Sequence, residues 1–283
     1  MNSENSLTCP SPWEKILVCT DGSEEGQNAV AQALALGQAC GSKVYVLQVV
    51  EIVPEFEAVA PDLRACLEEE IRRQKVATAS EAALKGVQLE YRVLHSVSPF
   101  AVIVAEADQI QPGLIILGRY GRTALVRLAM GSVTARVIGL SPFNVLLVPQ
   151  SAALSFKRLL IASDGSAYSD AALAEAIAMA ARADSELLGV AVAREEGEIL
   201  EAQEILHRML TAANQAGVSF QGFSPQGLAA DDGIIQTALA NHVDLIIMGS
   251  HGRTGLKKLL MGSVTERVIG ASPCPILVVK QPA

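Results

Sequence analysis

The chain has 283 residues, half of them apolar and 18% charged, with a formal net charge of −8. That length suits two domains of ordinary size, and so much apolar material excludes a disordered chain. Acids spread through both halves argue against a nucleic-acid footprint and against an anionic membrane surface as partner. No apolar run approaches the roughly 18–20 residues that span a bilayer, and the polar start has no secretion-signal core. A soluble cytoplasmic protein is the expectation. The five cysteines, Cys9, Cys19, Cys40, Cys66 and Cys274, are odd in number, widely spaced and without a C-x-x-C pair. They are expected as reduced thiols, Cys19 and Cys40 within cores, and without a zinc site.

Apolar patterning predicts a strand at Ile16–Thr20, an Ala- and Leu-rich helix at Ala29–Cys40 and a strand at Val44–Val50. A long amphipathic helix follows at Leu63–Lys85, then a strand at Val87–Leu94 and a helix at Pro99–Asp108. The short apolar run Leu114–Leu117, a helix at Ser132–Leu140 and a final strand at Val145–Val148 complete this half. The second half repeats the series and ends on Ile276–Val279. Short apolar strands separated by helices predict parallel sheets covered on both faces, and right-handed crossovers wind each into a doubly wound α/β domain of about five strands.

The halves are copies. Lys15–Ser23 returns as Arg158–Ser166, and Gly118–Pro142 returns as Gly249–Pro273 with 17 of 25 positions identical. The second copy lacks 12 residues between these blocks, and the acidic, proline-bearing stretch Glu51–Asp62 is expected to be the extra loop. Two tandem domains, 1–150 and 151–283, follow, joined through the short segment Gln150–Phe156. The last strand of each copy is apolar and is expected at a sheet edge. Two such edges in one chain predict mutual cover, an internal pseudo-dimer.

Ligands of doubly wound sheets bind beyond the carboxyl ends of the strands. Two repeated features fall there. Thr20-Asp21-Gly22-Ser23 and Ser163-Asp164-Gly165-Ser166 follow the first strands. Gly118-x-x-Gly121, nine residues and Gly131-Ser132 match Gly249-x-x-Gly252, nine residues and Gly262-Ser263. Glycines admit a bulky anion close to the backbone, and the helix starts at Ser132 and Ser263 offer amides and a positive dipole end. Thr134 and Thr265 add hydroxyls, and Arg122 and Arg253 sit in the loops. A capping role competes with this reading: Asp21 and Asp164 have the character of helix caps, and Ser263 with Glu266 has capping-box spacing. Tyr120 stands in the first copy where the second has His251, so no catalytic histidine is required. There is no G-x-x-x-x-G-K-[ST] loop and no G-x-G-x-x-G run.

These loops resemble those of the universal stress protein family, over essentially the whole chain, as two family domains in tandem. The resemblance implies five-stranded doubly wound domains of the adenine nucleotide α-hydrolase-like kind. It also implies the ATP-binding branch, with ATP, ADP or AMP as ligand. Thr20, Asp21, Ser163 and Asp164 would then border adenosine or a magnesium ion carried on the phosphates. Val49 and Val192 would lie against adenine, and Leu117 and Met248 would line the base or ribose. Gly118, Gly121, Gly131, Ser132, Val133 and Thr134 would hold ribose and phosphates, as would Gly249, Gly252, Gly262, Ser263, Val264 and Thr265. Cys19 and Ala162 stand where binding members often carry proline. Arg119 and Tyr120 replace the small residue and histidine present as Ser250 and His251, which predicts two inequivalent sites. The expected function is a stress-response regulator with little or no turnover, unnamed protein partners and scope for a homodimer. A nucleotide-independent scaffold and a slow ATPase are the alternatives.

Overall fold

In the computed structural model, residues 7–52, 61–120, 131–253 and 261–280 are described. The first copy runs β1 (Lys15–Thr20), α1 (Glu24–Cys40), β2 (Lys43–Glu51), α2 (Pro61–Lys85), β3 (Leu89–Ser96), α3 (Pro99–Ile110), β4 (Leu114–Gly118), α4 (Ser132–Leu140) and β5 (Val145–Val148). The second runs β6 (Arg158–Ala162), α5 (Ala167–Ala183), β7 (Glu186–Val190), α6 (Ile199–Gln215), β8 (Phe220–Phe223), α7 (Ala230–Ala240), β9 (Leu245–Gly249), α8 (Ser263–Ala271) and β10 (Ile276–Val279). The strands form one sheet in the order β3-β2-β1-β4-β5-β10-β9-β6-β7-β8. Within each copy every pairing is parallel. The copies meet where β5 and β10 pair antiparallel, Leu146 opposite Leu277. The two apolar final strands therefore cover each other, as expected of bare edges.

Alternation along the strands builds a core on each face. Ile16 and Val18 pack with Ala29, Val30 and Ala33 of α1, whereas Leu17 and Cys19 pack with Ile103 of α3 and Val137 of α4. Both cores run through the two copies, so the halves share one interior. The connecting segment belongs to it: Leu154 and Phe156 are buried, and Asn28 Nδ2 donates to Pro149 and Ala152 carbonyls.

Three expectations are corrected. The helix expected from Ala29 starts at Glu24, because Ser23 caps it by accepting the Gly26 amide and two glutamates occupy the first turn. Part of the 12-residue surplus is helix rather than loop, since α2 has 25 residues and α6 has 17; residues 53–60 lie outside the described residues. The thiols are not all reduced. Cys9 and Cys40 form a disulfide that ties the N-terminal segment to the end of α1, and both are only partly buried. Cys19 is a core thiol, raised in pKa by burial. Among the described residues no helix is long and apolar enough to cross a membrane.

Candidate functional site

In each copy the strand order turns outward in both directions from the central pair, β1–β4 or β6–β9. The carboxyl ends of that pair are the switch point at which doubly wound sheets bind ligands. In the second copy a cavity of about 490 Å³ opens there. Ser163 and Asp164 after β6, Val192 after β7, and Met248 and Gly249 of β9 line it. Gly252, Arg253, Gly262, Ser263, Val264 and Thr265 also line it, so the cavity gathers the second-copy residues expected to border the ligand; Gly165, Ser166, Ser250 and Glu266 are not among its lining.

Local chemistry sets the frame. Asp164 turns the chain after β6: its Oδ1 accepts the Ser166 amide at 3.0 Å and its Oδ2 the Arg253 amide at 2.8 Å, so one carboxylate pins both loops. Burial opposes ionisation of Asp164, but donors from Ser166, Arg253 and Ser169 outweigh it and hold the carboxyl below its ordinary value. The glycine loop closes on itself where the Gly262 amide donates to the Ser250 carbonyl at 2.9 Å and Thr265 Oγ1 donates to the Gly249 carbonyl at 3.1 Å.

The capping alternative is not realised. Helix α8 starts after Gly262 with no side-chain cap bond, and α4 starts after Gly131 in the same way. Ser263 is the first residue of its helix, one position too late to close a box with Glu266. Neither Asp21 nor Asp164 is a cap; Ser23 and Ser166 are. Among the described residues, α4 and α8 thus start behind a glycine that makes no cap bond to their first-turn amides, beside a cavity in the case of α8.

The first copy repeats the frame. Thr20 Oγ1 accepts the Gly22 amide, Asp21 Oδ1 accepts the Ser23 amide, Gly131 donates to the Arg119 carbonyl, and Thr134 Oγ1 donates to the Gly118 carbonyl. Val49 and Leu117 are buried at the strand ends, and Ser132 and Val133 open α4. Gly121 and Arg122 lie outside the described residues.

The copies diverge in three ways. Gln74 of α2 bonds the Gly22 carbonyl and the buried Gln48, whereas Ile205 of α6 packs against Gly165 and lines the cavity. The Arg119 amide goes to Glu25 Oε1 at 2.7 Å, whereas the Ser250 amide bonds Val279 of β10. The Arg119 and Tyr120 side chains reach into the other copy: Arg119 Nη1 donates to the Ile269 and Ser272 carbonyls at 3.1 and 2.8 Å, and Tyr120 to the Gly270 carbonyl. Ser250 and His251 stay at home, with Ser250 Oγ 3.2 Å from His251 Nδ1 and the His251 ring beside Tyr168.

The sequence profile of the universal stress protein family matches residues 12–149 and again 155–280. The chain belongs to that family. Universal stress protein Slr1230 of Synechocystis is 26% identical over 93% of this chain and 99% of its own length. Universal stress protein MJ0531 of Methanocaldococcus jannaschii is 35% identical over 45% of this chain and 84% of its own length. The crystal structure of a universal stress protein from Archaeoglobus fulgidus superposes with a TM-score of 0.74 at 21% identity, covering 96% of this chain and 98% of that one, a likeness of fold.

Sequence reasoning missed part of this universal stress protein's cavity wall. Arg194, Glu198 and Glu201, at and just before the start of α6, and Arg267 of α8 line it. Arg267 pairs with Asp231 at 2.9 Å. Arg267 stood inside the repeated Val-Thr-x-Arg run and was within reach of the repeat argument. The α6 residues had no such signal, because the second copy departs from the first between β7 and α6.

Proposed function

We propose that this universal stress protein binds adenine nucleotide, ATP or its shorter relatives, at the carboxyl ends of its central strands, and that binding rather than turnover is its activity. The observation that carries the reading is the second-copy cavity, whose far wall is the uncapped start of α8 and whose apolar side is Val192 and Met248. An apolar slot beside amide donors suits a flat base joined to an anionic tail. The domains in this reading are 1–150 and 151–283, with one site in each. The first site is framed by Thr20, Asp21, Gly118, Gly131, Ser132 and Thr134.

Magnesium fits only as an ion carried by the phosphates. Both Asp164 oxygens already accept backbone amides, and among the described residues no group of three His, Cys, Asp or Glu is placed to hold a metal. Slow turnover at most is expected, since the Asp164 carboxylate is spent on two backbone amides and Glu198 and Glu201 sit in exposed ion pairs at the rim.

Mass spectrometry of the denatured purified protein tests the reading by identifying and counting carried nucleotide. Nucleotide-free protein should also melt higher with millimolar Mg-ATP, as a ligand of the folded state requires. Gly262→Val should lose the second-copy share of that rise, its melting without ligand serving as the fold control. Protein that carries no nucleotide and melts alike with and without Mg-ATP would leave the scaffold alternative.

A further inference from the structure

All three guanidinium groups among the described lining residues of the second-copy cavity are committed to carboxylates. Arg194 pairs with Glu198, Arg267 with Asp231 and Arg253 with Glu201, the last at 2.5 Å. Arg253 is the one that belongs to the glycine loop. Its backbone amide and its Nε both bond Asp164, and its Nη1 reaches across the mouth to Glu201 on the first turn of α6. The guanidinium is therefore held at the rim, beside the uncapped start of α8, by an acid from a different element.

Resting on the nucleotide reading above, we propose that Glu201 is a specificity-determining residue that withholds Arg253 from the anionic tail of the ligand. Arg253 and Glu201 are 44% and 52% exposed, so their pair is weak and exchangeable. A phosphate offers the same guanidinium a better-matched, bidentate partner. Binding a charged tail then means an exchange, in which Arg253 turns from Glu201 to phosphate. The carboxylate left behind faces the tail with Glu198 beside it. The penalty grows with the charge of the tail and vanishes for an uncharged nucleoside. In the first copy Gln74 of α2 stands at the place of Ile205, so Glu70 stands at the place of Glu201; Arg122 lies outside the described residues, and the device is assigned to the second copy, where both partners are described.

Calorimetric titration of ATP, AMP and adenosine, without divalent metal, into the full chain and into E201Q, R253Q and E201Q/R253Q tests this. Glu201 is half exposed, so the amide variant keeps the fold. E201Q should tighten ATP by about two- to fivefold, the range of one exposed ion pair, tighten AMP less and leave adenosine unchanged. R253Q should weaken ATP, and adding E201Q to it should recover only a fraction of the gain seen in the parent chain. Three results overturn the inference while the nucleotide reading stands. They are ATP binding equally to E201Q and the parent, an equal gain for adenosine, or the full E201Q gain persisting without Arg253. If none of the three ligands binds any of the proteins, the nucleotide reading itself falls and the inference goes with it.

Discussion

Glycines of the repeated loop have separate physical reasons, and the ligand is only one. A Cβ on Gly249 would stand 2.8 Å from the carbonyl carbon and oxygen of Tyr168, so this glycine exists to let the loop touch the first turn of α5. A Cβ on Gly118 would instead meet the Glu25 side chain at 3.0 Å, with the Glu25 backbone at 3.4 Å. A side chain can rotate and a helix backbone cannot. Gly249→Ala should therefore cost about 1–3 kcal/mol of stability as overpacking, and Gly118→Ala clearly less. Urea denaturation of the ligand-free variants measures both, and equal losses would sink the argument. Gly252 has a third reason, because its Cβ would collide with the Asp164 carboxylate that fastens the loop. Retention of glycines in both copies, read from the sequence as favouring a ligand, is explained in part by the loops' own closure. Beside this stands the glycine, rather than a capping serine, before α4 and α8, where the serine stands in the helix.

At the level of elements, the departures of the first loop become a docking device. Helix α8 ends with carbonyls that lack partners within the helix, and Arg119 supplies a cation and two hydrogen bonds to them from the other copy. Arg119→Ala should lower stability by about 1–3 kcal/mol, the range for charged hydrogen bonds, whereas Ser250→Ala, at the matching place, breaks no contact between copies and should cost less. Thermal unfolding of the two variants decides it; parity would mean that the bonds across the copies contribute nothing. No pattern in the sequence announced this role. The central strands were legible because they are buried on both faces and so read as unbroken apolar runs; Val145–Val148 and Ile276–Val279 were located to the residue, whereas the half-buried outer strand β3 runs Leu89–Ser96, two residues past its expected place. The edge-to-edge junction was legible for the same reason. The start of α1, the length of α2 and the Cys9–Cys40 bond were not, since they depend on a cap, on extra turns and on a contact between segments 31 residues apart. Arg119 meeting Ser272 is a still longer-range contact, and hydropathy carries no information about it.

Over the whole molecule the same exchange occurs in reverse. Lys280, just past β10, donates from its backbone to Asn144 Oδ1 of the first copy at 2.9 Å and from Nζ to the Ile138 carbonyl near the end of α4. Ile138 and Ile269 are matching positions, so each copy's last helix has the same carbonyl bonded by a basic side chain from the other copy. Burial drives the Lys280 ammonium down to about 8. An unfolded lysine titrates near 10.4. Between these values the unfolded chain binds the proton more than the folded one does, so stability rises with pH through that window. Below about 8 both states are charged, and the burial penalty is present in full. The slope is at most about 1.4 kcal/mol per pH unit. Urea denaturation at pH 7.5, 8.5 and 9.5 should show wild-type stability climbing relative to Lys280→Met, which has no titrating group at the seam. Parallel curves for the two proteins would mean that the ammonium reaches water and that the junction of the copies does not bury its charge.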